Sequence, residues 1–446
     1  MPATFFVNWR IVRPLLFACG CLSFVLYYLY HAFKPPTALY NDLFNSETQV
    51  SKNLIHNERG NRYVKFRQLQ GAGFNNQVCC AQISSRGSSL IIFSQAQEIL
   101  LYHHLALQTS RIYVYQSLIW RPRGEKAGVP LSAFLRGVTE NSVSDSVFDE
   151  VCPPEDVVHV KLTANSLDQW NHAKSVLNRK ERCLVIDDWI FNWAYVFFIC
   201  LFAGASNLIL HSFLESAGTH TIWPSFQKYL GIHFKWSDYI LDIANRTQTQ
   251  LQLKPNSSQS TDGDSYMALH LRRGDFQGHC EYLAEVRKGF MSWATLPMLQ
   301  PAVLPPALDT YNVTSVVEHC YPTLYRILEA ITLQARNRPH LRTLHIIHDG
   351  AWDHPTVYLQ YYKLAEALTN AAWAKGQDWQ SGPMLRVTHS AQTPIARGER
   401  DFSVCVDVEM ARRAEVFIGN AYSSLSTQVV ALRLGDGGKV DDISFV

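Results

Sequence analysis

Residues 266–276 read Tyr-Met-Ala-Leu-His-Leu-Arg-Arg-Gly-Asp-Phe. The run is apolar until it stops at two guanidinium groups and a glycine, the pattern of a short buried strand rather than a helix. Side chains alternate across a strand, so one of Arg272 and Arg273 must point inward, where a charge without a partner is costly. Asp275 or a bound anion can supply that partner. The stretch therefore reads either as an Arg–Asp structural pair or as an anion site, because the planar fork of an arginine matches phosphate oxygens. His270, taken alone, reads as a core histidine.

The same rhythm extends outward in both directions. Strand patterns at 343–348, 385–389 and 416–418 alternate with helical patterns near 321–335, 356–372 and 423–434. On the N-terminal side, strands at 63–69, 111–116 and 183–186 alternate with helices near 90–107 and 193–204. That alternation implies parallel sheets covered by helices. A polar linker at 246–265 separates an N-terminal half, 63–245, from a C-terminal half, 266–446. Two doubly wound α/β halves facing a cleft follow, and ligands in such sheets bind beyond the carboxyl ends of the strands.

Two further strand ends carry candidate chemistry. Gly71-Ala72-Gly73-Phe74-Asn75-Asn76-Gln77 follows a strand and precedes a helical pattern, so its glycines can admit a phosphate or sugar, or simply make a tight turn. It is not a dinucleotide fingerprint, because Asn76 stands where the third glycine belongs. Residues 407–427 read helix, strand, the turn Gly419-Asn420, then Ser423-Ser424 opening another helix. Those serines can cap the helix or hold a phosphate. Arg412 and Arg413 are expected on a solvated helix face. Asp262-Gly263-Asp264 lies in the linker with no strand leading into it, a poor metal site. Asp187 and Asp188 follow a strand and are better placed to face the cleft.

The chain has 446 residues, 47% of them hydrophobic, and a formal net charge of +2. That suits a two-domain globular protein and gives no electrostatic support for a nucleic-acid partner. Residues 14–33 are apolar for about the 20 residues a membrane helix needs. They are expected to anchor the chain, with residues 1–13 as a cytoplasmic tail and 34–62 as a polar stem; a cleaved signal peptide is the rival reading. Sequons at Asn245, Asn256 and Asn312 follow the span. Eight of the ten cysteines lie beyond it, an even number compatible with disulfides in an oxidising lumen. Without a CxxC pair, metal ligation by these cysteines is disfavoured.

Taken together and in this order, GAGFNNQ, HLRRGD and DVEMARRAEVFIGNAYSSLS resemble the GDP-fucose-dependent O-fucosyltransferase family and its fungal-looking relatives. The resemblance runs over roughly 63–433. It implies a GT-B fold of two Rossmann-like domains and inverting transfer from GDP-fucose; the apolar span and the sequons add the expectation of a type II membrane protein with its body in the lumen of the Golgi or endoplasmic reticulum. The acceptor would be a Ser or Thr hydroxyl of a protein, or a glycan hydroxyl, with no metal and no cofactor besides the donor; a non-catalytic sugar-nucleotide or glycan binder is the remaining reading. By position, Arg272 would neutralise the departing diphosphate and His270 would contact the nucleotide. Asp407 would bond guanine, and Ser423 and Ser424 would hold the diphosphate. Gly73, Phe74, Asn75 and Asn76 would approach the fucose and acceptor from the opposite domain, with Arg272 and Asn76 as the catalytic positions. Ala72 stands where some members have a carboxylate, and Asn76 cannot usefully take a proton, which leaves the base unassigned. A disulfide between Cys280 and Cys320 is expected, because each flanks the insertion after the phosphate-binding strand.

Overall fold

The computed structural model describes residues 36–57, 60–68, 95–119, 128–162, 169–188, 217–256, 263–274, 276–348 and 355–446, with residues 17, 19–25 and 27. The first sheet contains β1 (Tyr63–Phe66), β2 (Ile112–Tyr115), β3 (Val143–Ser144), β4 (Val157–Val160) and β5 (Cys183–Ile186). Its order is β3-β2-β1-β5-β4. The second contains β6 (Met267–Leu271), β7 (Thr343–His348), β8 (Arg386–His389), β9 (Val416–Gly419) and β10 (Ile443–Phe445), in the order β8-β7-β6-β9-β10. Every pairing within both sheets is parallel. The expected α/β architecture with parallel sheets is therefore present, and the strands read from sequence fall within a few residues of the observed ones.

The principal helices are α1 (Thr37–Asn57), α2 (Gln95–Gln108), α3 (Gln169–Leu177), α4 (Ala217–His233), α5 (Asp238–Leu251), α6 (Phe276–Glu285), α7 (Val313–Cys320), α8 (Leu324–Asn337), α9 (Pro355–Thr369), α10 (Ser403–Arg413) and α11 (Ser424–Gly435). All five residues of β6 are buried. Met267, Leu269 and Leu271 join one core cluster with Ile327 and Ile331 of α8, whereas Ala268 joins the larger cluster with Val408 of α10 and Val430 of α11. That larger cluster runs through both halves. Phe226 of α4 stacks on Trp293, with ring centroids 4.8 Å apart; Phe226→Ala would cost about 3–5 kcal/mol. Gln227 donates to the Leu434 carbonyl at 2.8 Å, so α4 packs directly on α11. Gly435 permits that approach, since a Cβ there would stand 2.8 Å from Leu230 Cβ.

Several expectations change. Residues 34–62, read as a stem, hold the 21-residue helix α1, whose Leu39, Leu43 and Phe44 pack on the core. The polar sequence hid this because one narrow apolar stripe is enough to dock a helix already surrounded by partners. Tyr40 donates to Asp401 at 2.8 Å in the C-terminal half. In the N-terminal half, Glu47 accepts from the Ser132 amide at 2.7 Å and Ser51 from the Ser144 amide at 2.8 Å. The linker expected from residue 246 begins inside α5, which continues to Leu251. Arg412 and Arg413 are not on a solvated face: both pair with the buried Glu409, at 3.1 and 2.7 Å, which also accepts from Trp236 at 3.0 Å. Of the expected anchor, only residues 17, 19–25 and 27 are described, and they are helical. Among the described residues no helix is long and apolar enough to cross a membrane. The expected helix at 193–204 lies outside the described residues.

The disulfide Cys280–Cys320 is present, and a second joins Cys152 to Cys183. The first staples α6 to α7, the insertion that leaves β6 and returns to α8.

Candidate functional site

The second sheet reverses its winding between β6 and β9, the point at which a doubly wound sheet opens a crevice at its carboxyl edge. In the register of that edge, Leu269 faces Ile418, so β6 delivers His270 and Arg272 beside Gly419 and Asn420 at the end of β9. Gly419 leaves little room for a side chain: a Cβ would stand 2.8 Å from the Phe417 ring and 3.2 Å from Ser426 Cβ of α11. Helix α11 therefore begins at the crevice with Ser423 as its N-cap residue.

The Ser423 side chain makes no capping bond. Of the two roles open to it from sequence, capping is not the one it performs. The first amides of a helix have no intrahelical acceptor, and the helix dipole adds to their positive potential. Arg272, half-buried, lies with its guanidinium carbon 5.1 Å from the Phe276 ring centre. Arg273 is the inward member of the pair: it is 2% exposed, donates to the Pro322 carbonyl and stacks 4.3 Å over Tyr321. Arg273 is thus the buried member of the pair and Arg272 the half-buried one. Asp275 lies outside the described residues.

His270 is fixed by a chain of hydrogen bonds. Its Nδ1 is 2.8 Å from Ser426 Oγ, which accepts from the Asn420 amide at 2.9 Å. The Asn420 side chain donates to the Cys320 carbonyl at 2.7 Å and accepts from the Tyr422 amide at 2.9 Å. The Tyr422 hydroxyl donates to the Lys288 carbonyl at 2.9 Å. The disulfide-stapled insertion is thus tied to the β9–α11 turn and forms a wall of the crevice. Burial first, then the charge of Arg272, lowers the His270 pKa to about 3, so its imidazole is neutral. When the Ser426 hydroxyl donates to Nδ1, the proton of that neutral ring resides on Nε2.

Asp407 lies in the middle of α10. Burial pushes its carboxyl up to about 7, against the opposing effect of a hydrogen bond from Ser390. Ser390 follows β8 and its Oγ also accepts from the His348 amide at 3.4 Å. His348 and His389, ending β7 and β8, approach within 3.2 Å through Nε2 and Nδ1. Asp407 therefore belongs to the same carboxyl edge as Arg272, across β7. Sequence reasoning missed His348, His389, Ser390 and Ser426. The available signal was the position of the first three at or just after the ends of strands already identified.

Gly73, Phe74, Asn75 and Asn76 lie outside the described residues, and the site is built here from its C-terminal side. The N-terminal half does reach it: Gln97 of α2 donates to the Ser424 carbonyl at 3.0 Å and accepts from Ser292 at 3.2 Å. The Asp188 carboxylate accepts from the Leu162 amide at 2.9 and 3.1 Å, and Asp187 lies 2.8 Å from His159 Nδ1. Asp264 pairs with Arg386 at 3.4 Å. Among the described residues no group of three or more His, Cys, Asp or Glu side chains could hold a metal ion.

The fold and site define a doubly wound α/β protein in which Arg272, His270 and the first turn of α11 come together at the switch point of the second sheet, with Asp407 of α10 beside Ser390. No protein-family model matches the chain, and no curated protein matches it. Among solved structures it is similar to POFUT1 in complex with GDP-fucose, at TM-score 0.47 and 14% identity, over 87% of this chain and 98% of that one. It is similar also to POFUT1 in complex with GDP, at 0.48 and 15%, over 85% and 97%. A third is an Arabidopsis thaliana FUT1 mutant in complex with GDP, at 0.35 and 12%, over 90% and 78%. None of these bears on a fungal origin. A likeness at this level says nothing of the chemistry of this chain.

Proposed function

We propose that the chain is an inverting fucosyltransferase of GT-B architecture that transfers L-fucose from GDP-fucose to a Ser or Thr hydroxyl of a luminal protein. The observation that carries this reading is the convergence of Arg272, His270 and the start of α11 on the switch point of the second sheet. Glycosyl transfer develops negative charge on the leaving diphosphate. Arg272 and the α11 amides supply the compensating positive charge, and Nε2–H of His270 supplies a neutral donor. Ser423, whose hydroxyl is not spent on the cap, and Ser424 complete the cradle. Asp407, ionised, offers two acceptors to the adjacent N–H groups of a guanine. We propose further that the reaction needs no metal ion, that Asn76 and the glycine loop meet the fucose from the other half, and that residues 14–33 anchor a type II protein of the Golgi or endoplasmic reticulum.

The test is calorimetric titration of the purified protein with GDP and GDP-fucose, each with and without a chelator. Binding that survives the chelator and disappears in Arg272→Ala supports the donor site. A folded sample that binds neither ligand overturns it, and chelator-sensitive turnover overturns metal independence. Fucose incorporated into glycan rather than into Ser or Thr of an acceptor protein would reassign the acceptor.

A further inference from the structure

We propose that Asn312 carries an N-linked glycan, an inference that rests on the luminal reading above. Three sequons are present in the sequence, at Asn245, Asn256 and Asn312. Their surroundings differ in ways that separate them.

Asn312 is the N-cap residue of α7, in extended backbone at φ −102° and ψ 108°. Its Oδ1 accepts from the amides of Thr314 and Ser315, at 3.0 and 3.4 Å. The cap uses only the amide oxygen, and a secondary amide formed at Nδ2 keeps that oxygen. A glycan here is therefore compatible with the folded cap. The surroundings are open: Asn312 and Thr314 are exposed, and Tyr311 and Val313 are 80% and 56% exposed. Tyr311 also lies 5.1 Å from the Arg287 guanidinium carbon, outside the packed core.

Asn245 is placed otherwise. It sits within α5, its Oδ1 holding Arg413 at 2.7 Å, and Arg413 is part of the buried Glu409 network. Thr247, the hydroxyl residue of that sequon, is fully buried and bonded to the Ile243 carbonyl at 2.7 Å. The sequon of Asn256 runs into residues outside the described ones. The disulfide that closes α7 onto α6, Cys280–Cys320, fits an oxidising compartment, and that is the compartment in which glycan transfer to asparagine occurs.

In the transfer, Nδ2 of Asn312 displaces a lipid-linked diphosphate from the anomeric carbon of the oligosaccharide. The new bond is N–C, the broken bond is C–O, the amide gives up one proton, and the lipid diphosphate departs as the leaving group.

The experiment expresses the full chain in secretory-competent cells and maps peptides before and after peptide-N-glycosidase digestion, with a parallel non-reducing disulfide map. The expected result is an Asn312 peptide converted to aspartate by the glycosidase, and a mobility shift on digestion that shrinks by one glycan in Thr314→Ala. Asn312→Asp, which removes the acceptor but retains a good cap, should lose the same glycan while keeping its melting temperature. An unmodified Asn312 peptide from protein in which Cys280–Cys320 has formed overturns the inference and leaves the luminal reading standing. An unmodified peptide together with free thiols at Cys280 and Cys320 overturns both.

Discussion

The two sheets share one architecture and end their strands differently. In the first, several of the described polar groups at the carboxyl edge turn back on the backbone. Gln116 donates to the Phe66 carbonyl at 3.3 Å, Arg67 to the Asp187 carbonyl at 3.2 Å, and Asp188 accepts from Leu162. In the second, the same edge holds Arg272, His270, Asp407 and the start of α11, with two histidines ending neighbouring strands. A doubly wound sheet provides a crevice, but whether the crevice carries chemistry depends on how much of its polar edge is consumed in closing the fold.

Measurements on variants of each edge test this difference. Its largest expected effect is Arg272→Ala, which should lower kcat by about 10²–10³-fold with the melting curve unchanged, by analogy with removal of one charge-stabilising donor. Arg273→Ala, one residue on, should instead cost about 1.5–3 kcal/mol in unfolding experiments, because it strips a charged donor from a buried carbonyl. Exchange of those two phenotypes would invert the assignment of the site.

Next comes pH. The proposed guanine contact needs Asp407 ionised, and its pKa is raised to about 7, so under that proposal GDP affinity should fall about tenfold for each pH unit below 7. Asp407→Asn should flatten that profile at the weak limit. The sign for stability is opposite: the folded state holds this proton more tightly, so ligand-free stability should decline as pH rises from about 3.9 toward about 7. An affinity that is flat from pH 5 to 8 would remove Asp407 from the site.

Ser426→Ala should cost about tenfold in kcat/KM, because His270 loses the partner that orients its ring and selects its tautomer. The smallest effect is in the other sheet. Asp188→Asn should cost about 1 kcal/mol of stability and leave kcat within about twofold. A collapse of turnover in that variant would mean that the first sheet also lends its edge to the reaction.

Much of this was legible in the sequence because buried parallel strands advertise themselves as short apolar runs. Residues 266–271 and 416–418 identified the central strands of the second sheet, and the residues following them identified the switch point. The division of labour between Arg272 and Arg273 was not legible, since alternation says that one points inward without saying which. Nor was the Glu409 network. Arg412 and Arg413 look like solvated charges until a tryptophan and a carboxylate more than a hundred residues apart are brought together beneath them. The cysteine pair at 280 and 320 was readable only through its place beside β6. Helix α1 escaped notice because its docking relies on a few apolar side chains, Leu39, Tyr40, Leu43, Phe44, Leu54 and Ile55, and a few hydrogen bonds spread over 21 residues.

That helix also sets where the chain can be shortened. A soluble version beginning at Ser51, as the stem reading would suggest, discards Tyr40 and Glu47 and with them the bond to Asp401 in one half and to Ser132 in the other. Asp401 lies six residues before Asp407, on the segment that leads into α10. Trimming the apparent spacer would loosen the segment beneath the proposed nucleotide site, and a weakly active recombinant protein would then report the position of the cut.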